Sequence, residues 1–400
     1  MKRRMLFVDD EPMILQGLQR ILRSWRGEWE MEFFDNAAAA LHRLTQAPFD
    51  VVLSDLQMPG INGADFLAEV KERHPRTIRL ILSGHADPKL ILQSVGSAHQ
   101  FLAKPCDPDA LKSILGRVAA LEAGLPSEAL RQLVGQLVNL PSVPSLYLEI
   151  AELADRSDAS LEAIAQVISR DLNMTTRILR LVNSPFFGLS RGLSSTEEAV
   201  AHLGLEMVKA LVLSLGTFSH FEQTNLGRDR IQAVWSHSRQ VGARAKQIAQ
   251  LEGAERMTIS HAYTAGMLHD VGKLLLAANL SDKVAQAARL AATKGMEDWA
   301  AEELVFGASH ADVGGYLLGL WGLPEPVVEA VTWHHRPCAA AHLGFSPLTA
   351  VHVANAYTCQ SEGSVGCRYD NRYLAAAGAE GRLPVWRASL DPAESLGNPR

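Results

Sequence analysis

Short apolar runs alternate with longer amphipathic stretches over the first 120 residues. The runs are continuously apolar, which is typical of strands buried on both faces of a parallel sheet. The predicted strands span residues 4–8, 30–34, 51–54, 78–83 and 100–103. Between them lie helical patterns, the clearest over residues 11–24, where apolar side chains recur at helical spacing. This alternation predicts an α/β domain with a doubly wound, five-stranded parallel sheet.

From about residue 125 onward the strand signals disappear and the pattern is helical nearly throughout. Proline interrupts it, for example at Pro141, Pro144, Pro185 and Pro324. We therefore predict a second, all-α domain. The predicted boundaries are 1–121 for the first domain, 122–138 for a connector helix, 139–357 for the helical domain and 358–400 for a tail. The tail is rich in Gly, Ala, Ser and Pro and is expected to be loosely structured.

Composition and charge narrow the class of protein. No apolar run is long enough to span a bilayer, and the first residues lack the long apolar segment of a signal peptide. Four scattered cysteines without CxxC spacing fit reduced thiols in a cytosol. The formal net charge of −6 offers no attraction to a phosphate backbone. We expect a cytoplasmic protein without membrane association or direct DNA binding.

Acidic residues stand at the ends of two predicted strands. Asp9 and Asp10 follow the first and Asp55 follows the third, while Ser83 ends the fourth and Lys104 follows the fifth. The carboxyl ends of such strands meet at one edge of the sheet, so three carboxylates would repel one another unless a cation lies between them. Oxygen ligands suit Mg²⁺. We predict a Mg²⁺ site in which Asp55 is the nucleophile toward phosphorus, with Lys104 and Ser83 contacting the added phosphoryl group.

These residues resemble the receiver domain of two-component response regulators. The matching segments are VDDE at 8–11, DLQMPGING at 55–63, LSGH at 82–85 and FLAKP at 101–105. The fold expected is flavodoxin-like, with strand order 2-1-3-4-5. The resemblance implies phosphorylation by a sensor histidine kinase or a small phosphodonor, and a switch role for Phe101. The alternatives are solvated turn residues for the acidic cluster and simple packing for Phe101.

Histidines recur through the helical part of the chain. The informative side chains, which could converge on Zn²⁺, Mn²⁺ or Fe from several helices, are His237, His269, Asp270, His310, His334 and His335. An isolated histidine is more often a satisfied core or surface residue. Several in one pattern make a transition-metal site a reasonable hypothesis.

This part of the chain resembles the HD superfamily of metal-dependent phosphohydrolases, and more closely its HD-related output domain branch, HDOD. The likeness covers about residues 133–357 and includes LPSVP at 140–144, LVNSPFFG at 181–188 and GLWGLP at 319–324. It implies a regulatory module. Asn355 stands where an HD enzyme has an aspartate, which would weaken metal binding and water activation.

Phosphodiesterases of the HD-GYP type are also similar, because all six of the His and Asp positions match. Their Gly-Tyr-Pro segment is missing, since Arg336 and Pro337 follow His335. We therefore expect a response regulator that relays its signal through protein contacts of the HDOD domain. The alternative is a phosphorylation-controlled phosphohydrolase acting on a cyclic dinucleotide or another phosphoester. A transcription factor is a third reading, and the downstream partner and oligomeric state, a homodimer included, stay open.

Overall fold

The computed structural model describes residues 2–74, 77–83, 97–104, 111, 133, 144–154, 160–182, 193–222, 224, 226–340, 344–363 and 368–390. The chain divides into two compact units, one built mainly on residues 1–126 and the other mainly on residues from 146 onward. This division agrees with the predicted change of fold class. The predicted connector helix at 122–138 lies outside the described residues except for Leu133, so its boundaries stay predictions.

The first unit is a five-stranded parallel sheet. Its strands are β1 Arg3–Val8, β2 Trp29–Phe34, β3 Val51–Asp55, β4 Ile78–Ser83 and β5 Gln100–Ala103. They are arranged in the order β2-β1-β3-β4-β5, and every pair of neighbours is parallel. The predicted fold class and strand order are confirmed, and the strand bounds differ from the prediction by one residue at most.

Local sequence explains the helices described in this unit, α1 Pro12–Ile21, α2 Ala37–Gln46 and α3 Gly63–Arg73. Pro12 opens α1, where its missing N–H is not needed. The side chains of Asn36 and Asn62 accept hydrogen bonds from backbone N–H groups in the first turns of α2 and α3. The apolar faces of α2 and α3 close over Val8 and the other inward residues of the sheet.

Strand register determines which residues meet at the carboxyl edge of the sheet. Val8 lies opposite Ser54, and Asp55 lies opposite Leu82. The residues that follow β1 and those that end β3 are therefore neighbours. This register places Asp9 and Asp55 side by side.

The second unit is helical in every part that the structure describes. Its helices are α4 Ser145–Ala154, α5 Leu161–Ser169, α6 Leu172–Val182, α7 Thr196–Leu203, α8 Leu205–Glu222, α9 Arg228–Leu251, α10 Arg256–Leu268, α11 Val271–Asn279, α12 Ser281–Lys294, α13 Asp298–Phe306, α14 His310–Leu320, α15 Glu325–Trp333, α16 Pro347–Ser361, α17 Asn371–Ala376 and α18 Leu383–Leu390. Helix α16 is central, since its residues from Pro347 to Cys359 are buried. It packs against α9, α10 and α15, which carry or precede most of the histidines.

The C-terminal region differs from the sequence-based prediction. Residues 358–400 were predicted to be loosely structured, but α16 continues to Ser361, and α17 and α18 follow. Tyr373, Leu374 and Trp386 are fully buried, and the Trp386 indole N–H donates a 2.8 Å hydrogen bond to Glu252. The prediction of a loose tail is therefore wrong for residues 368–390. The average composition of the segment does not reveal that a few large apolar side chains are buried against the other helices of the unit.

Among the described residues, no single helix is both long and apolar enough to cross a bilayer. By length and composition alone, one pair bent by 118°, Thr196–Leu203 with Leu205–Glu222, would meet those criteria together.

Candidate functional site

Three carboxylates converge at the carboxyl edge of the sheet. Asp9, Asp10 and Asp55 each offer an oxygen, and these atoms lie within 4.8 Å of one another. Lys104, which follows β5, reaches into the cluster and places its Nζ 2.9 Å from both Asp9 Oδ2 and Asp55 Oδ1. The structure thus brings together four of the predicted residues. A cluster of hard oxygen ligands at this spacing fits Mg²⁺.

The Asp55 carboxylate is held by one backbone and one side-chain contact. Oδ1 accepts a 2.8 Å hydrogen bond from the Leu56 backbone N–H and also pairs with Lys104. These two contacts fix the orientation of the carboxylate at the end of β3. Gly63 packs directly behind the residue, because a Cβ at position 63 would lie 2.0 Å from the Asp55 carbonyl oxygen. Any larger residue would displace the strand end that carries Asp55.

Burial and charge act in opposite directions on Asp55 and Lys104. Burial raises the pKa of Asp55, and the hydrogen bond and charge of Lys104 offset only part of that effect. Burial alone would lower the pKa of Lys104, but the hydrogen bonds and the negative charges of Asp9 and Asp55 together outweigh burial and raise that pKa. The lysine therefore stays charged near neutral pH.

Ser83 is the last residue of β4 and lies opposite Ala103, whereas Phe101 is the second residue of β5 and lies opposite Ile81. Their side chains lie outside the described part of the structure. The proposed phosphoryl contact of Ser83 and the proposed switch role of Phe101 stay predictions.

The histidine pattern of the second unit converges on one point between helices. His237 lies on α9, His269 and Asp270 join α10 to α11, His310 opens α14, His334 and His335 follow α15, and Asn355 lies on α16. The ligand atoms form two groups, and within each group they lie within 4.8 Å of one another. The first group is Asp270, His310, His334 and His335, and the second is His237, His269 and Asp270. The structure thus brings together the residues that the sequence singles out, and both groups share Asp270.

Two of the histidines are oriented by the ends of their own helices. His269 and His334 follow the last residues of α10 and α15, and their Nδ1 atoms donate to the carbonyls of Gly266 and Val331 at 2.8 and 2.7 Å. Helix ends leave such carbonyls without an intrahelical partner. Each ring then carries its proton on Nδ1 and its lone pair on Nε2.

Their Nε2 atoms are suited to metal binding. Within the described ranges, both atoms are buried and have no hydrogen-bond partner. Burial lowers the pKa of His269 to about 4 and the pKa of His334 well below its ordinary value, so both rings are neutral near pH 7. A buried neutral imidazole with a free lone pair is the usual ligand of Zn²⁺, Fe or Mn²⁺. The donor set therefore fits a transition metal.

Asp270 is the carboxylate around which the nitrogen-bearing side chains of this site are arranged. Its Oδ2 lies 2.8 Å from Lys273 Nζ and 3.5 Å from His269 Nε2, and its Oδ1 lies 3.1 Å from His310 Nε2. Burial alone would raise the pKa of Asp270, but the neighbouring His269, Lys273 and His310 hold it well below the usual range. The residue is therefore an ionised carboxylate surrounded by side-chain nitrogen atoms.

Close backbone packing makes this arrangement attainable. A Cβ on Gly272 would lie 1.9 Å from the His310 carbonyl oxygen, so α11 and the start of α14 approach each other only because residue 272 is glycine. The glycine follows Asp270 by two residues. The contact therefore brings His310 within reach of Asp270.

Asn355 faces His237. The Asn355 side-chain oxygen lies 2.9 Å from His237 Nε2, and the same nitrogen lies 4.0 Å from Asp270 Oδ2. An amide is neutral and binds cations weakly. The structure thus places Asn355 at the histidine cluster, where a carboxylate would have added a negative charge.

Sequence reasoning did not assign three charged residues at this site. Lys273 could have been found from its i+3 position after Asp270, since such residues share a helix face. Glu302 and Glu362 had no local signal. They lie against His310 and His237, from which they are separated by 8 and 125 positions.

An open cavity of about 290 Å³ gives access to the histidine cluster. Its lining includes His237, Asp270, Lys273 and His310, together with Trp299. The Trp299 ring stacks on His335 with ring centroids 5.9 Å apart. The site is therefore accessible to a small molecule or to a side chain of another protein.

Each of the two units matches a known protein family. The response regulator receiver domain matches residues 5–116, and the HDOD domain matches residues 140–337. An uncharacterized protein of Treponema pallidum is 27% identical over 198 residues, covering 50% of this chain and 38% of the relative. The hydrogenase transcriptional regulatory protein HoxA of Cupriavidus necator is 37% identical over 108 residues, covering 26% of this chain and 22% of HoxA. The chain thus spans less than half of the length of these two curated relatives.

A solved structure resembles most of the chain. The crystal structure of an HDOD domain protein of unknown function from Geobacter sulfurreducens has a TM-score of 0.53 and 24% identity, covering 68% of this chain and 98% of that protein. At this level of identity the likeness concerns the fold alone.

Proposed function

The chain belongs to the two-component response regulators, with an N-terminal receiver domain and a C-terminal HDOD domain, and from this premise we propose how its signal is received and passed on. A sensor histidine kinase or a small phosphodonor phosphorylates Asp55. The HDOD domain then passes the signal to a downstream protein by direct contact. The observation that carries the proposal is the convergence of Asp9, Asp10 and Asp55 within 4.8 Å, with Lys104 bound to two of them.

The chemistry follows from the charges at the sheet edge. Bound Mg²⁺ would be held by Asp9, Asp10 and Asp55 and would supply positive charge toward the oxygens of a phosphodonor. Asp55 contributes the oxygen that attacks phosphorus, and as this bond forms the bond from phosphorus to the donor breaks and releases acetate or the kinase histidine. The aspartyl phosphate then carries about two negative charges next to Lys104, where the carboxylate carried one, and the ion pairs of Lys104 with Asp9 and Asp55 must rearrange. This local change is the input to the conformational signal.

Labelling with acetyl phosphate tests the phosphorylation site. The full chain with Mg²⁺ is expected to gain one hydroxylamine-labile phosphoryl group, detected by Phos-tag electrophoresis, and Asp55→Asn should abolish the gain while leaving the fold intact. Asp65→Asn, on the surface of α3, is the matched control. Equal labelling of Asp55→Asn and the wild type would refute the assignment of Asp55.

A metal centre in the HDOD domain is the second part of the proposal. His269 and His334 present buried, unpartnered Nε2 atoms among the described residues, and Asp270 lies between the two ligand groups. His237, His269, Asp270, His310, His334 and His335 would hold a transition metal, with Asn355 as a neutral neighbour. The bound metal would supply Lewis-acid charge, and in the signalling function it would stabilise the helices around it.

A phosphohydrolase is the alternative function, and the accessible cavity beside Asp270 and Lys273 favours it. Metal analysis of the purified chain, followed by turnover of a phosphodiester such as a cyclic dinucleotide, separates the two functions. Hydrolysis that His269→Ala abolishes would establish the enzyme. A metal-bound chain without turnover supports the relay function.

A further inference from the structure

The histidines of the HDOD cluster are oriented in two different ways. His269 and His334 donate Nδ1–H to backbone carbonyls of their own helices. His237 and His310 instead place Nδ1 against the carboxylates of Glu362 and Glu302. The second pair is therefore oriented by side chains that substitution can remove.

Glu302 lies on α13 and reaches the first residue of α14. Its Oε2 lies 2.7 Å from His310 Nδ1 and also accepts a 2.7 Å hydrogen bond from the His310 backbone N–H. The side chain is only 12% exposed. One carboxylate oxygen thus holds both the ring and the backbone of His310, and His310 Nε2 points at Asp270.

Glu362, at the end of α16, contacts the ring of His237 in the same way. Its Oε2 lies 2.9 Å from His237 Nδ1, while its Oε1 accepts a 2.9 Å hydrogen bond from Gln240 on α9. Both oxygens therefore tie the end of α16 to the helix that carries His237. At 37% exposure, the side chain lies toward the mouth of the cavity.

We infer that Glu302 and Glu362 are positioning residues of the metal centre, each accepting Nδ1–H from one histidine ligand so that the Nε2 of that ring faces the metal position beside Asp270. The inference rests on the proposed metal centre. A carboxylate that accepts Nδ1–H fixes the ring orientation and makes Nε2 a stronger donor. For His237, the neighbouring Asn355 amide can present its NH₂ group to the Nε2 lone pair by a 180° rotation of the side-chain amide.

Glu362 also bears on the missing carboxylate at position 355. Residues 355 and 362 are seven positions apart, which is two helical turns, so both project from the same face of α16 toward His237. Glu362 therefore restores a negative charge on the side of His237 remote from Asp270. Glu362 acts on the metal site through the His237 ring, and it does not take the place of the carboxylate that is absent at position 355.

Zn²⁺ binding to the full chain tests the inference. The chain is first treated with a chelator, and its Zn²⁺ affinity is then measured by competition with a chromophoric chelator. His269→Ala identifies which binding event belongs to the histidine cluster. Glu302→Gln and Glu362→Gln are each expected to weaken that event by about 10-fold to 100-fold.

Two control variants carry the same substitution elsewhere in the unit. Glu303→Gln lies beside Glu302 on α13, where its carboxylate contacts Arg336, and Glu380→Gln lies on an exposed turn. Both should bind Zn²⁺ like the wild type. The melting temperature of each chelator-treated variant separates positioning from a structural role. Positioning leaves that temperature unchanged and reduces only the rise that Zn²⁺ produces.

The outcomes distinguish this inference from the function on which it rests. A wild-type chain that binds no Zn²⁺ at the histidine cluster overturns the proposed metal centre. Wild-type affinity in both glutamine variants overturns the positioning role and leaves the metal centre standing. If Glu302→Gln lowers stability without metal because a neutral amide oxygen is a weaker acceptor for the His310 N–H, the more exposed Glu362 decides the question.

Discussion

Asn355 lies on the buried face of α16, with its side-chain oxygen 2.9 Å from His237 Nε2. Replacing it by aspartate would add a carboxylate beside a ring that already faces Asp270. We expect Asn355→Asp to raise Zn²⁺ affinity about tenfold, equivalent to about 1.4 kcal/mol, because a charged carboxylate replaces a neutral amide. Chelator competition on the full chain measures the change.

A matched substitution separates local coordination from long-range charge. Asn279→Asp makes the same change at the end of α11, where the amide donates to a backbone carbonyl. It should leave Zn²⁺ affinity unchanged. An equal gain in both variants would show that Asn355 has no special relation to the histidines.

His99 offers a pH-dependent prediction in the receiver domain. It is buried, and its Nδ1 accepts a 3.0 Å hydrogen bond from the Arg79 backbone N–H. Burial, followed by the charges of Arg79 and Lys71, holds the pKa of His99 well below its ordinary value. In the unfolded chain the pKa is about 6.5, so the unfolded state binds the proton first. The stabilisation is complete above about pH 6.5 and is lost as the pH falls from there toward the folded-state pKa.

Hydrogen exchange of peptides from β4 and β5 measures this effect within the full chain. After correction for intrinsic rates, protection in the wild type should fall between pH 7 and pH 5.5. His99→Gln cannot titrate and should show a smaller fall. Identical pH profiles would mean that protonation of His99 does not limit the stability of this edge of the sheet.

At the scale of elements, helix ends and helix contacts position the chemistry. His269 and His334 each follow a helix and cap one of its free carbonyls, so their orientation is a property of α10 and α15. Gly272 lets α11 approach α14 closely enough for His310 to meet Asp270. The site therefore depends on helix packing as much as on the ligands themselves.

Helix α18 provides a test of the C-terminal region. Trp386 is fully buried and hydrogen-bonded to Glu252, whereas the neighbouring Val385 is 44% exposed. We expect Trp386→Ala to lower the free energy of unfolding of the helical unit by about 3–5 kcal/mol. Val385→Ala should change it by less than about 0.5 kcal/mol. Denaturant titration compares the two, and equal midpoints would contradict the packing of α18.

At the scale of the whole molecule, two candidate metal sites of different chemistry lie in separate compact units. Oxygen ligands in the receiver domain suit Mg²⁺, and nitrogen-rich ligands in the HDOD domain suit a transition metal. Each unit has a core of its own. Metal binding at one site should therefore not require metal at the other.

Removal of metal from the full chain tests this independence. After chelation, Mg²⁺ alone should restore labelling of Asp55 by acetyl phosphate. Zn²⁺ at 100 times its dissociation constant should stabilise the HDOD domain by about 2.7 kcal/mol. His269→Ala should abolish the stabilisation by Zn²⁺ and keep the labelling. Asp55→Asn should abolish the labelling and keep the stabilisation by Zn²⁺. Loss of labelling in His269→Ala would show that the two sites are coupled.

The sequence by itself determined the architecture of the receiver domain and the helical character of the HDOD domain. Apolar periodicity is a local signal, so strands and helices could be predicted without knowing their partners. Strand order and parallel pairing then place Asp9 and Asp55 together, and the histidine pattern pointed to the cluster around Asp270. The domain boundaries near residues 121 and 138 stay predictions.

Only the tertiary structure decided which residues support that cluster. Glu362 meets His237 across 125 positions, and Trp386 meets Glu252 across 134. No periodicity encodes such contacts, because they arise when helices distant in the chain pack together. The packing of α17 and α18 was missed for the same reason: a few buried aromatic and aliphatic side chains hold a segment whose average composition resembles that of a flexible tail.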